Sequence, residues 1–308
     1  MPDVVVLGSL NMDLVVRTER MPRPGETVMG GPFVTVPGGK GANQAAAAAR
    51  LGVSVEMIGR VGKDSFGSAL LENMRAQGVE MDHVAVDERE STGVALIVVD
   101  DAAENSIVVV PGANGRVSRA DLLNARDLLA SARFLIAQLE VPIPVVHTAL
   151  QMARELDLRV ILNAAPAQRV DDDFMRGVYC LVVNEYEAQT LAGLPVNDDL
   201  ETVSAAGMAL LDRGVYMAVI TLGARGALLV TRERSAHVPA RRVPVVDTTA
   251  AGDAFVGGLA AAFLQGRDLV DAVRFATCAG TLAATRLGAQ PSLPSAEEVC
   301  GFYQGGQP

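Results

Sequence analysis

The chain has 308 residues, half of them hydrophobic and 20% charged, with 30 Gly and 15 Pro. That composition excludes a disulfide miniprotein, a fibre and a disordered chain, and predicts a folded globular protein. A formal net charge of −10 excludes a broad basic face for nucleic acid or anionic lipid, while a local site for a small anion remains open.

At the N-terminus the apolar run of MPDVVVLGSLNMD is short, lacks a preceding basic segment and meets Asn11 and Asp13 at once. It predicts a first strand over Val4 to Leu7 and not a signal peptide. Further β-branched runs follow at Val55 to Ile58, Phe134 to Ala137, Val160 to Leu162, Leu181 to Val183 and Met217 to Ile220. Helices are predicted at Ala42 to Leu51, Ser65 to Gln77 and Glu201 to Arg213, each closed by a glycine. Near-continuous apolar strands alternating with helices indicate a parallel sheet covered on both faces, in one α/β domain over 1–308. Two stretches break the rhythm. Leu14 to Val36 and Thr92 to Val110 are strand-like without helices, the second turning near Asp101 to Asn105. They predict a small antiparallel sheet projecting from the body, suited to a lid or a dimer surface. No apolar stretch approaches the roughly 20 residues of a membrane span. Cys180, Cys278 and Cys300 are widely spaced and form no CxxC or Cys/His cluster, which points to reduced thiols in a cytoplasmic protein without structural zinc.

Three segments carry candidate chemistry. In VVDTTAAGDAFVGG a strand ending at Val246 is expected to meet Ala250, Ala251, Gly252 and Asp253 at the start of an apolar helix. Unpaired N–H groups of such a first turn form an anion site suited to phosphoryl transfer. Asp253 in the same turn could take a proton from a hydroxyl nucleophile, or it could simply cap the helix dipole. In PGGKGANQAAAAARLG, Gly39 and Gly41 keep side chains away while Lys40 and Asn43 supply donors before a helix. The pattern is neither a Walker A loop nor a GxGxxG fingerprint, and taken alone it is also ordinary structural punctuation. In GSLNMD, Asn11 and Asp13 project to one side in extended geometry and suit hydrogen bonds to hydroxyls, an Asx turn being the alternative. Asn184-Glu185-Tyr186-Glu187 and Thr221 to Gly226 each follow a strand, where α/β ligands collect.

Taken together and in this order, GSLNMD, PGGKGANQAAAAARLG, GRVGKDSFG, ESTGVALI, AQLE, LNAAPA, NEYE, TLGARG, DTTAAGDAF and TRLGAQPS resemble the ribokinase-like (PfkB) carbohydrate kinase family over nearly the whole chain. The resemblance implies a three-layer α/β/α sandwich with a central, mainly parallel sheet and a β-sheet lid. It implies ATP-dependent phosphorylation of a sugar, D-ribose at its 5-hydroxyl in the first place, with another sugar or a nucleoside as the alternative acceptor. By the same resemblance Asp253 is the catalytic base and the N–H groups of Ala250, Ala251 and Gly252 are the anion hole. Asn11, Met12, Asp13, Gly39, Lys40, Gly41, Ala42, Asn43 and Glu140 fall in the sugar-binding segments, with Asp253 completing the pocket. Asn184, Glu187, Thr221, Leu222, Gly223, Ala224, Arg225, Gly226, Gly252, Asp253 and Thr277 match the ATP site, Glu187 also helping to organise magnesium. Asp247, Thr249, Ala283, Arg286, Gly288 and Ser292 match the positions that hold an activating potassium ion. A homodimer joined through the lids is implied as well. Thr277 stands where relatives often carry His or Asn, and Pro37 precedes the glycine pair where Phe, Ala or Gly is expected. A non-catalytic sugar binder on the same fold is the rival from another class, and it has no need of the AAGD turn. A dinucleotide-dependent oxidoreductase is disfavoured because GSLNMD, not GxGxxG, follows the first strand.

Overall fold

A computed structural model describes residues 1–102 and 104–305. Thirteen strands are found among the described residues: β1 (Val4–Leu7), β2 (Asn11–Thr18), β3 (Gly30–Gly38), β4 (Val55–Gly62), β5 (Val79–Asp87), β6 (Gly93–Val99), β7 (Asn105–Val110), β8 (Phe134–Gln138), β9 (Arg159–Asn163), β10 (Cys180–Asn184), β11 (Met217–Thr221), β12 (Ala227–Val230) and β13 (Ser235–Val238). The helices are α1 (Lys40–Arg50), α2 (Ser65–Ala76), α3 (Arg119–Asn124), α4 (Arg126–Ser131), α5 (Ile143–Glu155), α6 (Asp172–Met175), α7 (Glu185–Ala192), α8 (Leu200–Asp212), α9 (Ala251–Leu264), α10 (Leu269–Ala283) and α11 (Ala296–Gln304).

Nine strands form the central sheet in the order β13-β12-β11-β10-β9-β8-β1-β4-β5, parallel from β11 to β5 and closed by the antiparallel β12–β13 hairpin. Both faces are covered, as continuous apolar strands require. Val4 and Val6 turn toward the layer built by α1, α2, α9, α10 and α11, while Val5 and Leu7 turn toward α3 to α8. The chain order reverses at β1, which has β4 on one side and β8 on the other. Such a switch point leaves a crevice at the C-terminal ends of the strands. Small residues set the distance between the helices that start at this crevice. A Cβ on Gly257 would lie 2.6 Å from the Cβ of Ala47, so α9 lies directly against α1.

The remaining four strands form a separate sheet in the order β3-β2-β6-β7. This is the expected lid, with one correction: its two hairpins are antiparallel within themselves, but β2 and β6 pair in parallel. Both strands leave the body at the crevice and run the same way, so the two distant insertions join side by side. The first lid strand begins at Asn11, three residues before the expected insertion. Asn11 and Asp13 therefore belong to β2 and are not in an Asx turn. The expected turn at Asp101 to Asn105 includes Ala103, which lies outside the described residues. No strand ends at Val246. Pro244 has no N–H to give a ladder, and the N–H groups of Val246 and Asp247 both donate to the Ala284 carbonyl, leaving the two valines exposed. Among the described residues no helix is long and apolar enough to cross a membrane.

Candidate active site

Three clefts meet at the N-terminus of α9. The first, about 430 Å³, lies under the lid and is lined by Asn11, Asp13, Gly39, Lys40, Asn43, Glu140 and Asp253, with the lid contributing Ala95, Ile97, Ile107 and Val109. The second, about 560 Å³, is lined by Thr221, Gly223, Ala224, Gly226, Gly252 and Thr277, and its floor is largely apolar. A third space of about 170 Å³ joins them, bordered by Lys40, Asn184, Glu187, Thr221, Thr249, Gly252 and Asp253. Asp253 thus faces the first and third spaces, and Gly252 the second and third.

Residues far apart in sequence are tied together at the strand ends. Ser9 after β1 donates to Glu140 after β8 (2.6 Å), and the Lys40 N–H donates to the same carboxylate oxygen (3.0 Å). Gly39 before α1 has φ +90°, and a Cβ there would sit 2.8 Å from the Asn11 nitrogen. Only glycine lets the chain turn from β3 into α1 against the start of β2. Asn114 anchors the lid by donating to Asn11 Oδ1 (2.8 Å) and to the Leu10 carbonyl (3.0 Å). Asp253 is buried with both carboxylate oxygens engaged: Asn43 donates to Oδ2 and Gln44 to Oδ1, each at 2.9 Å.

The electrostatics follow from four carboxylates and one lysine at the partly dry clefts. Burial raises the Asp253 carboxyl above its ordinary value, against the opposing pull of Lys40 and the two amide donors. Asp13 rises to about 7, from burial first and then from Glu140 and Asp253. Lys40 is desolvated, yet Asp253, Glu140 and Glu187 outweigh burial and hold its pKa above the ordinary lysine value. Lys40 borders both the first and third spaces, and Glu187 borders the third with it.

Several expected residues stand elsewhere. Met12 points to the opposite face of β2 and is core, while Gly41 and Ala42 pack beneath the turn, where Ala42 donates to the Ser9 carbonyl. Leu222 is buried, and Arg225 pairs with Glu185 and the Asp198 carbonyl, bracing the loop from behind. Asn184 caps α7 and exchanges hydrogen bonds with Glu187, so both border the connecting space and neither lines the second cleft. The Thr277 hydroxyl donates to the Val273 carbonyl one turn back. Ala251 donates its N–H to the Thr248 carbonyl (3.2 Å), which leaves Gly252 as the first-turn amide beside the second and third spaces. Gln44, Gln138, Asn114 and Asn163 were not among the expected site residues. Their sequence signal was an amide in otherwise apolar surroundings, as Gln44 is within KGANQAAAAAR.

Asp247 ties the loop before α9 to the loop after α10. It accepts from the Thr249 N–H (2.9 Å) and hydroxyl and from the Gly288 N–H (2.8 Å), and these donors outweigh burial to hold its carboxyl below the usual range. Of the other positions expected around a potassium ion, Arg286 turns to Glu298 and the Ser292 hydroxyl to the Ala289 carbonyl. The Asp247 carboxylate is the hard oxygen ligand of the set. Among the described residues no cluster of three or more His, Cys, Asp or Glu could hold a metal ion. Glu187 and Asp253 are the carboxylates that border the connecting space, hard oxygen groups of the kind magnesium accepts beside phosphates and water.

A buried carboxylate at a helix N-terminus, with a polar cleft and a largely apolar one opening beside it, suits phosphoryl transfer to a small hydroxylated acceptor. Residues 1–296 match the model of the pfkB family carbohydrate kinases. The chain belongs to that family. It is 42% identical over 314 residues to a ribokinase of Schizosaccharomyces pombe, covering 98% of each chain, and 38% identical over 297 residues to a deoxyribokinase of Salmonella typhi, covering 96% and 97%. Among solved structures, the ribokinase of Arabidopsis thaliana complexed with ribose and ATP superposes with a TM-score of 0.91 at 30% identity, covering 98% and 99% of the two chains.

Proposed function

We propose that the chain transfers the γ-phosphoryl group of ATP to the 5-hydroxyl of D-ribose, giving D-ribose 5-phosphate and ADP. The observation that carries this reading is the position of Asp253, on the wall shared by the lid cleft and the space leading to the second cleft. The sugar occupies the lid cleft, where Asn11, Asp13, Gly39, Lys40, Asn43 and Glu140 offer matched donors and acceptors to its hydroxyls. ATP occupies the second cleft, its base against the apolar floor and its phosphates toward Gly252. Asp253 takes the 5-hydroxyl proton as the sugar oxygen bonds to the γ-phosphorus and the bond to ADP breaks. A base raised toward neutrality accepts that proton more readily than an ordinary carboxylate, and Lys40 and the Gly252 N–H meet the charge that develops on the phosphoryl oxygens. Magnesium, when bound with the nucleotide, neutralises phosphate charge near Glu187. Asp247, with main-chain oxygens of the loops before α9 and after α10, would hold potassium, which would supply positive charge beside the α9 N-terminus.

The ribokinase names of the S. pombe and A. thaliana relatives support ribose as acceptor, and the deoxyribokinase relative sets the sharpest comparison. The test is a panel of D-ribose, 2-deoxy-D-ribose, D-fructose and adenosine with magnesium and ATP, in potassium or sodium buffer. D-Ribose is expected to show the highest kcat/KM, with faster turnover in potassium. Preference for another acceptor overturns the choice of sugar, and equal rates in the two buffers overturn the potassium site.

A further inference from the structure

Gln44 touches none of the three clefts and has no exposed surface, yet every polar atom of its amide is used. Its Nε2 donates to Asp253 Oδ1 (2.9 Å) and to Asn163 Oδ1 (3.0 Å), and its Oε1 accepts from Gln138 Nε2 (2.7 Å). Gln138 is the last residue of β8, Asn163 the last of β9, and Asn163 is held in turn by donating to the Val182 carbonyl on β10 (3.1 Å). The partners fix which end of the Gln44 amide is nitrogen, because the reversed amide would set its oxygen against a carboxylate. One side chain from α1 therefore joins two strands of the central sheet to the carboxylate on α9.

We infer that Gln44 is the positioning residue of Asp253, a buried strut that sets the carboxylate plane so that the acceptor hydroxyl meets the base in one orientation. The inference rests on the proposed role of Asp253 as base. Asn43 engages the other carboxylate oxygen but also lines the lid cleft, so it works on substrate and base together. Gln44 lines no cleft itself and reaches the site through Asp253 and through Asn163, which borders the connecting space. Its neighbours show how rigid the strut is: the amide is anchored at both ends on parallel strands, and strand ends shift less than loops. Donation from a neutral amide favours the charged form of the carboxylate, and removing it moves proton affinity upward. The other charged groups that bear on Asp253 are Lys40 from α1, Asp13 from β2 and Glu140 after β8. They are shared with substrate binding and stay in place when only Gln44 changes.

The test compares the wild type with Gln44→Met, which keeps the volume and removes the donor, and with Gln44→Glu, which keeps the shape and the acceptor for Gln138. Asp253→Asn marks the floor, expected about 1,000-fold below wild type. For Gln44→Met we expect kcat to fall about 10- to 100-fold with KM for the sugar within about threefold, and the acid limb of the kcat–pH profile to move up by about one unit. Gln44→Glu, with a second carboxyl against Asp253, should move that limb further in the same direction. A merely structural role would lower thermal stability or the folded fraction in both variants without moving the limb. Unchanged acid limbs in both variants, or a loss confined to KM, would overturn the inference. A wild type that phosphorylates no acceptor overturns the proposed function instead, and full turnover by Asp253→Asn overturns the assignment of the base.

Discussion

Asp13 is the residue in which the cost of the site is most visible. It sits buried on β2 beside two further carboxylates, and its carboxyl rises from 3.8 to about 7. A folded-state pKa above the unfolded one means that the folded chain holds its proton more tightly. The stability this contributes is complete below about pH 4 and is lost as the pH rises through about 7. The ligand-free protein should therefore lose melting temperature between these limits relative to Asp13→Asn, whose side chain stays neutral. Parallel melting curves for the two proteins from pH 4 to 8 would contradict it. Asn11, Asp13, Lys40, Asn43 and Asp253 were legible in the sequence because each stands in a local motif whose residue types are wrong for a core. Gln44 and Gln138 were not, since a buried amide shows its purpose only when its partner is in view.

At the scale of elements, α1 carries three of the groups that surround Asp253, and its direction is set by one turn. Gly39 at φ +90° has the Asn11 nitrogen and the Ser9 carbonyl within 3.0 Å of any added Cβ. Gly39→Ala should cost about 1–3 kcal/mol through backbone strain and displaced neighbours. Because the shift moves Lys40, Asn43 and Gln44 together, kcat/KM should fall at least about tenfold. Differential scanning calorimetry and steady-state kinetics would check both, and wild-type values in each would show that the turn tolerates a side chain. Helices α1, α2 and α8 were legible from their periodicity and closing glycines. The edge strand β5, VEMDHVAVD, and the short hairpin β12–β13 were not recognised, because half-polar or four-residue runs carry little periodicity of their own. Val245 and Val246 illustrate the reverse error: β-branched residues without a strand partner are simply exposed valines.

For the molecule as a whole, the lid presents apolar residues on both faces. Phe33, Leu96 and Val108 lie on one side and Ile107 and Val109 on the other, all at least 44% exposed. A four-stranded sheet with two apolar faces cannot spend both on one small sugar, and we propose a second copy of the chain as the partner that covers the remainder. Sedimentation at micromolar concentration should show a species of twice the 32.2 kDa chain mass, and a profile at the chain mass alone would overturn the dimer. The sequence by itself determined the class of fold, through apolar periodicity and glycine punctuation, and the family, through the resemblance its motifs carry in order along the chain, because these are local properties; the carboxylate at the start of α9 stayed open between a base and a helix cap. Only the tertiary structure decided that Lys40 faces two spaces at once, that β2 and β6 pair in parallel, and that the Asp253 carboxylate hangs from an amide braced on two strands. Those relations depend on the crossing of α1 over α9 and on the reversal of strand order at β1, which bring together residues up to 210 positions apart.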